Sequence, residues 1–246
     1  MNIDQKIDFI IAWIKKYIKD LKFQPVSLVI GVSGGVDSAL TSTLCAKTGL
    51  KTIAISMPIK QNINQHDLSL RHLNWLQDNF SNVETSIIEL DSVFNSFESK
   101  LENFNSELAF ANSRSRLRMV TLYQVAQSIK GLVVGTGNKV EDFGVGFYTK
   151  YGDGGVDISP IADCTKSDVW DMAEKLGIIK DIVQADPTDG LWDDNRNDEN
   201  QLGLSYKQIE EAMINKNSEH YKKYYKIREP NLHKMKPIPV CVFPKK

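Results

Sequence analysis

The stretch VSLVIGVSGGVDS, residues 26–38, predicts the fold of this chain. Its first half is an apolar run that ends in glycine, which is typical of a strand buried on both faces of a parallel sheet. The glycines that follow let the backbone approach an anion closely, and free amides at the start of the next helix point toward that anion. The stretch therefore predicts a strand, a phosphate-binding loop over residues 31–38 and a helix from residue 37.

The segments around this loop alternate between strand and helix patterns. Further strands are predicted over residues 51–57, 83–90 and 131–137, and helices over residues 2–21, 37–47, 65–80 and 107–129. The helix over residues 2–21 is amphipathic, because its isoleucines recur at helical spacing. The alternation indicates an α/β fold, a doubly wound and mostly parallel sheet with helices on both faces (Rossmann-like), whose site lies at the strand ends.

The sequence changes character after the fourth predicted strand. Residues 143–157, FGVGFYTKYGDGGVD, are rich in glycine and aromatic residues and predict a shaped loop. Residues 187–201 are acidic and nearly free of apolar side chains, so they are either a solvated linker or a mobile lid over a site. The length of 246 residues suits one large domain or a domain with an appended lobe, and we predict a single domain over residues 1–246.

Composition and charge argue against several classes of protein. A net charge of −1 argues against a nucleic-acid coat or a polybasic membrane anchor, and no apolar run is long enough to cross a bilayer. We therefore expect neither a nucleic acid nor a membrane as a partner. The three cysteines are far apart and odd in number, which suits reduced thiols and predicts a cytoplasmic protein.

The phosphate loop carries an aspartate where the common nucleotide-binding pattern has a lysine. In that pattern a second glycine, a lysine and a serine or threonine close the loop. Here Val36 replaces the glycine and Asp37 replaces the lysine. An aspartate needs a divalent cation between itself and phosphate oxygens, and magnesium is the usual one. The simpler alternative is that Asp37 only caps the helix.

Six motifs resemble known enzymes. SGGVDS resembles the signature SGGxDS of the ATP pyrophosphatases, which cut ATP between its α and β phosphates; this motif alone implies the reaction type and leaves the substrate open. The motifs GTGNKVE (135–141), GFYTKYGDGGVDISPIADCTK (146–166), DPTDGLWDD (186–194), DENQLGLSYKQIE (198–210) and LHK (232–234) are similar to the ammonia-dependent NAD synthetases. That family adenylates the carboxylate of deamido-NAD with ATP, and ammonia then displaces AMP to give NAD.

The resemblance implies roles for individual residues. Asp37 and Glu141 match magnesium ligands, and Asp153 matches a position that helps to deprotonate ammonium, although it could be only a turn aspartate. Asp37, Lys166 and Asp153 are the implied catalytic residues. The implied contacts to ATP are Gly31, Val32, Ser33, Gly34, Gly35, Val36, Asp37, Ser38, Thr136, Lys166 and Thr188. The implied contacts to deamido-NAD are Arg116, Lys150, Asp157, His233 and Lys234.

The resemblance also implies the partners of the protein. They are Mg²⁺, ATP, deamido-NAD and ammonia, and a second copy of the chain, because the family is dimeric. The apolar stripe of the first helix would suit a homodimer, but it could equally cover the domain's own sheet. Two alternatives stay open, which are an adenylating ligase of the same type that acts on another substrate and a non-catalytic ATP-binding module.

Overall fold

A parallel sheet of four strands forms the centre of the protein. The structure, a computed structural model, describes residues 1–187 and 198–244. The strands are β1 (Ser27–Gly31), β2 (Thr52–Ser56), β3 (Val83–Ile87) and β4 (Gly131–Val134), in the order β3-β2-β1-β4 with every pairing parallel. Because β1 leads to β2 and β3 on one side while β4 returns to the other, the topological switch point lies between the carboxyl ends of β1 and β4.

The described residues form eleven α-helices. They are α1 (Ile3–Asp20), α2 (Val36–Lys47), α3 (Ile63–Asn79), α4 (Asp91–Ser99), α5 (Glu107–Ser128), α6 (Lys166–Lys175), α7 (Lys180–Gln184), α8 (Asp198–Leu202), α9 (Tyr206–Ile214), α10 (Tyr221–Arg228) and α11 (Leu232–Met235).

The side chains of β1 alternate between two hydrophobic cores, one on each face of the sheet. Leu28 and Ile30 pack in a core that also holds the buried faces of α1, α2 and α6, while Val29 packs in a second core with residues of α4 and α5. Successive side chains of a strand point to opposite faces, so a fully apolar strand needs cover on both sides. The predicted α/β fold with helices on both faces is confirmed.

A third hydrophobic cluster lies beyond the sheet. It joins a π-helix over Lys139–Val145 to α9 and α10 through buried residues that include Val140, Tyr206 and Tyr224. The sequence predicted a loop from residue 143, but its first residues belong to this π-helix, which ends where Gly146 adopts a φ of 74°. π-Helical turns are rare and often occur at functional sites.

The other differences from the predicted elements are small. Asn2 caps α1 and Leu21 follows it, so the helix predicted over residues 2–21 is present as Ile3–Asp20. The four predicted helices correspond to α1, α2, α3 and α5, the four longest; α4, between β3 and α5, was not predicted and is only nine residues long. Most of the predicted lid, residues 187–201, lies outside the described residues, and α8 forms at its end. The single domain over residues 1–246 stays a prediction. None of the helices in the described ranges has the length and apolar character needed to cross a membrane.

Candidate functional site

The phosphate loop is closed by hydrogen bonds between its own residues. The hydroxyl of Ser38 donates to the carbonyl of Gly35 at 2.9 Å and accepts from the amide of Ser33 at 3.2 Å. The amide of Gly35 in turn donates to the Ser33 hydroxyl at 3.2 Å. Gly35 is the N-cap of α2 and supplies no side chain to cap it, so the first amides of this helix are available to an anion.

At Gly34 the structure has no room for a side chain. Its φ is +95°, and a Cβ atom at this position would lie 2.4 Å from the backbone carbonyl oxygen of Gln65 in α3. L-amino acids with side chains avoid this backbone region, and 2.4 Å is too close for a carbon atom and an oxygen atom. The neighbouring Gly35 has a φ of −84°, and a Cβ atom there would meet only Ser33 Oγ at 3.5 Å. Only the first of the two adjacent glycines is therefore required by the packing.

Three charged side chains meet beside this loop at the switch point. Asp37 stands in the first turn of α2, Glu141 in the π-helix after β4, and Lys166 at the first position of α6. The Nζ atom of Lys166 lies 2.6 Å from Oδ2 of Asp37 and 2.8 Å from Oε1 of Glu141. The Lys166 side chain is only 2% exposed, so the ion pairs form away from bulk water.

The two carboxylates compensate for the unfavourable interaction between the charge of Lys166 and the dipole of α6, whose N-terminus it occupies. A cation there opposes the helix dipole, and a bound phosphate would be one source of compensation. In the structure the compensation comes from the chain itself. Burial disfavours the charged ammonium, but Asp37 and Glu141 prevail and hold the pKa of Lys166 above its usual range.

The acidic groups beside Lys166 are held in a desolvated environment. Burial raises the pKa of Glu141, the ammonium of Lys166 opposes this rise, and the nearby charge of Asp37 adds to it. Burial also raises the pKa of the neighbouring Asp142 well above its usual value, with further contributions from Asp153, Glu141 and Asp37. Carboxylates crowded in this way favour a bound cation, because each raises the cost of ionising the others.

Asn138 and Tyr206 support the charged residues, and the sequence analysis missed both. Asn138 is buried; its Nδ2 donates to Oδ1 of Asp37 at 2.9 Å, and its Oδ1 accepts from the amides of Val140 and Glu141. The hydroxyl of Tyr206 donates to Oε1 of Glu141 at 2.5 Å. Asn138 could have been found as a helix N-cap three residues before Glu141. Tyr206 gave no such signal, because it stands 65 residues away from Glu141 in an amphipathic helix.

A small open pocket lies next to the charged cluster. Gly135, Asp142, Tyr148 and Asp153 are among the residues that line it. Asp153 is exposed as a residue, but its Oδ1 is turned toward the protein and accepts from the hydroxyl of Ser115 at 2.7 Å and from the amide of Thr149 at 3.0 Å. Desolvation of this carboxylate raises its pKa, and the hydrogen bonds oppose the rise. The arrangement places an oriented carboxylate at the wall of the pocket.

The residues matched to the dinucleotide lie in different parts of the structure. Arg116 is exposed on α5, where its Nε donates to the carbonyl of Lys150 at 3.2 Å. Lys234 donates from Nζ to the carbonyls of Gly146 and Tyr148 and lies 4.9 Å from the centre of the Tyr148 ring. Lys234 therefore reaches the wall of the pocket from α11.

Asp157 and His233 make contacts that hold the backbone. Asp157 accepts from the amide of Val133 at 2.8 Å and from the hydroxyl of Tyr123 at 3.0 Å, so it fixes the edge of β4. His233 is exposed, and its Nδ1 lies 2.8 Å from the carbonyl oxygen of Pro230. Neither side chain touches the lysine–carboxylate cluster in the structure.

The resemblance matches two threonines, Thr136 and Thr188, to ATP. Thr136 is half-buried and follows β4 directly, which places it at the switch point beside the phosphate loop. Thr188 lies outside the described residues.

The chemistry of these side chains fits a divalent cation that also binds phosphate. Asp37 and Glu141 each point an oxygen at the same ammonium group, so a cation already bridges them. In residues 1–187 and 198–244 no three His, Cys, Asp or Glu side chains gather as a metal-binding group. The protein thus offers two carboxylates, and Mg²⁺ is commonly bound by one or two carboxylates with phosphate oxygens and water completing its shell.

Comparisons with known proteins agree on one family. The sequence profile of the family described as NAD synthase matches residues 6–237. The NH(3)-dependent NAD(+) synthetase of Carboxydothermus hydrogenoformans is 35% identical over 219 residues, which is 87% of this chain and 86% of that protein.

Two solved structures share the fold over almost the whole chain. NMN synthetase from Francisella tularensis has a TM-score of 0.90 and 28% identity, with 99% of this chain and 100% of that chain covered. NH3-dependent NAD synthetase from Campylobacter jejuni has a TM-score of 0.79 and 25% identity, with 98% and 100% covered. The two neighbours carry names for different products, so the likeness of fold leaves the choice between these products open.

Proposed function

The chain belongs to the NAD synthase family, and from this premise we propose that it uses ATP and ammonia to convert deamido-NAD into NAD. The reaction forms a C–N bond, so the protein is a ligase. ATP adenylates the carboxylate and pyrophosphate leaves; ammonia then attacks the activated carbon and AMP leaves. The observation that carries the proposal is the meeting of Asp37, Glu141 and Lys166 beside a phosphate loop, in a chain that matches the family over residues 6–237.

The phosphate loop is suited to hold the departing pyrophosphate. Its glycines expose backbone amides, and the uncapped N-terminus of α2 adds the positive end of a helix dipole. Ser33 and Ser38 fix the shape of the loop from within, so the loop is formed before the anion arrives. Such preorganised donors stabilise charge that develops on phosphate oxygens in the transition state.

Asp37 and Glu141 are the residues that would hold Mg²⁺. When bound, the ion would offset negative charge on the phosphates of ATP. The same two carboxylates hold Lys166 in the structure, so we expect the ammonium to move to a phosphate oxygen when the metal and ATP bind. Thr136 and Thr188 are proposed as further contacts to ATP.

Asp153 is proposed to receive the proton that ammonium loses. Ammonia can act as a nucleophile only after this loss, and a desolvated carboxylate with a raised pKa is a better base than an ordinary aspartate. The hydrogen bonds from Ser115 and Thr149 to Oδ1 would hold the carboxylate in place at the wall of the pocket. Arg116, Lys150, Asp157, His233 and Lys234 are proposed as contacts to deamido-NAD.

One observation favours a different acid substrate as the second candidate. The Francisella tularensis structure, with a TM-score of 0.90, is that of an NMN synthetase. An enzyme of that kind would amidate the mononucleotide acid rather than the dinucleotide, through the same adenylated carboxylate. The curated relative with 35% identity favours the dinucleotide, so NAD synthesis is the first proposal and NMN synthesis the second.

The remaining proposals concern the setting of the enzyme. We propose a homodimer in the cytoplasm, as the family resemblance implies. Light scattering on the eluate of a gel-filtration column measures the mass of the particle, and a mass of 27.8 kDa, that of one chain, would contradict the dimer.

The direct test is an assay that supplies both acids in parallel. The purified protein is incubated with ATP, Mg²⁺ and ammonium, together with either deamido-NAD or nicotinic acid mononucleotide, and the amide products are separated by chromatography. We expect NAD as the main product, with a higher kcat/KM for the dinucleotide. A higher kcat/KM for the mononucleotide would support the second proposal, and the absence of both amides would contradict both.

The metal assignment is tested by Asp37→Asn, which keeps the size of the side chain but removes its charge. We expect the rate of pyrophosphate release to fall by about 10²- to 10³-fold, the size of effect seen when one electrostatic contact to a transition state is removed. Asp8→Asn, on the exposed side of α1, is the control and should keep the wild-type rate. A fully active Asp37→Asn enzyme would contradict the assignment.

A further inference from the structure

We propose that Tyr206 is a positioning residue that keeps the metal-binding carboxylate of Glu141 in place while Lys166 moves to ATP. The proposal rests on the proposed function, because it takes Asp37 and Glu141 as the metal pair. Tyr206 is the first residue of α9, is only 1% exposed and donates its hydroxyl proton to Oε1 of Glu141 at 2.5 Å. It lies in none of the sets of residues that the sequence motifs matched to ATP, dinucleotide or metal.

Two donors converge on one oxygen of Glu141. The ammonium of Lys166 lies 2.8 Å from Oε1, the same atom that accepts the hydrogen bond of Tyr206. Both of these contacts are made to Oε1, and neither is made to the other oxygen of this carboxylate, Oε2. A carboxylate fixed through one oxygen keeps its second oxygen for a cation, as a magnesium ligand must.

The two donors are not equivalent once ATP binds. Lys166 carries a full charge, and the proposed function requires it to turn toward a phosphate oxygen. Tyr206 carries no charge and is buried in the hydrophobic cluster of the π-helix, so we expect its hydroxyl to stay on Glu141 when the ammonium moves. When the ammonium leaves, the phenol is the donor that remains on Glu141. Second contacts of this kind orient the ligands of a metal and affect its affinity.

Helix α9 contacts both Glu141 and α6, the helix that begins with Lys166, and these contacts hold the phenol of Tyr206 in a fixed position. One turn after Tyr206, the carboxylate of Glu210 accepts from the amide of Ser167 at 3.1 Å and from its hydroxyl at 2.9 Å. The ring of Tyr206 also packs edge-on against Trp170 of α6, with ring centres 5.7 Å apart. The same helix therefore touches the residue that follows Lys166 and the carboxylate of Glu141.

The test uses Tyr206→Phe, which removes one oxygen and keeps the ring that packs against Trp170. Tyr224→Phe is the matched control: Tyr224 is buried in the same cluster, but its hydroxyl donates to the carbonyl of Gly144 at 3.3 Å and not to Glu141. The affinity for Mn²⁺ is measured by electron paramagnetic resonance with a non-hydrolysable ATP analogue. The Mg²⁺ concentration at half-maximal pyrophosphate release is measured beside it.

We expect Tyr206→Phe to weaken Mn²⁺ binding and to raise the half-maximal Mg²⁺ concentration by about tenfold, the loss typical of a hydrogen bond to a charged group. The rate at saturating Mg²⁺ should recover to within about threefold of wild type, since the phenol holds a ligand and does not touch the substrate. Tyr224→Phe should change neither quantity by more than about twofold. An unchanged metal affinity in Tyr206→Phe, or a loss equal to that of Tyr224→Phe, would overturn the proposal.

Glu141→Gln provides a second measurement that separates this proposal from the function on which it rests. If Tyr206 acts through Glu141, the change Tyr206→Phe should weaken Mn²⁺ binding much less in the Glu141→Gln background than in the wild type. An equal weakening in both backgrounds would place the effect of Tyr206 elsewhere and overturn the proposal. If Glu141→Gln alone does not weaken Mn²⁺ binding, the metal pair of the proposed function is wrong, and the role of Tyr206 falls with it.

Discussion

The phosphate loop and the lysine–carboxylate cluster lie side by side, yet they are built in opposite ways. The hydrogen bonds that close the loop join residues at most five positions apart, as between Ser33 and Ser38. The contacts of the cluster join Lys166 to Glu141 across 25 residues and to Asp37 across 129 residues. The loop is therefore a product of local sequence, whereas the cluster exists only after the sheet has brought the ends of β1 and β4 together.

The largest expected effect belongs to the cluster. Lys166→Met leaves two carboxylates close together without their cation, and breaking a buried ion pair typically lowers the free energy of unfolding by about 3–5 kcal/mol. Pyrophosphate release should also fall to near background, because the proposed contact to ATP is lost. Urea unfolding of the variant and the wild type measures the change in stability.

The loss of stability in Lys166→Met should depend on pH. Burial already raises the pKa of Glu141 and Lys166 opposes the rise, so removing Lys166 raises this pKa further. A carboxyl group with a raised folded-state pKa stabilises the protein fully only below its unfolded value of about 4.3, and the stability falls as the pH rises through the folded-state pKa. The variant should therefore be destabilised more at pH 8 than at pH 5.

Lys51→Met is the control for this experiment. Lys51 pairs with Glu84 at 2.7 Å, but both side chains are at least half exposed, and such surface pairs contribute little. We expect no measurable change in stability at either pH. A loss in Lys166→Met that is the same at pH 5 and pH 8 would contradict the view that uncompensated carboxylates cause it.

The contrast between loop and cluster also explains what the sequence could predict. Alternating apolar runs and glycines were enough for the parallel sheet, the phosphate loop and the four longest helices, because these depend on neighbours in the chain. Asp37 was singled out by its place in the phosphate loop, but Glu141 and Lys166 came only from the resemblance to a family, since nothing in their local sequence indicates that the three side chains meet. Tyr206 was missed altogether, because its partner is fixed by how α9 packs on the π-helix.

The two adjacent glycines of the loop give a test of local geometry. Gly34→Ala forces a side chain into a positive φ and toward the carbonyl oxygen of Gln65 at 2.4 Å, so we expect a loss of at least about 2 kcal/mol in the free energy of unfolding. Gly35→Ala, the matched control, has an ordinary φ and an ordinary contact with Ser33 Oγ at 3.5 Å, and should cost about 1 kcal/mol or less as an N-cap substitution. Both are measured on the ligand-free protein by urea unfolding. Equal losses in the two variants would mean that α3 yields to the new side chain and that the loop is less tightly packed than the structure shows.

The smallest effect is expected for Ser38→Ala, and it tests whether the loop is independent of the cluster. The variant removes the hydroxyl that donates to Gly35 and accepts from Ser33, and such hydrogen bonds contribute about 1 kcal/mol net. Because the hydroxyl bonds to no titrating group, the loss should be the same at pH 5 and pH 8. Ser99→Ala, which removes an exposed hydroxyl bonded to the carbonyl of Ser96, is the control and should cost less. A loss in Ser38→Ala that grows with pH, as expected for Lys166→Met, would mean that the loop transmits strain to the adjacent Asp37, and the two regions would then have to be treated as one cooperative unit.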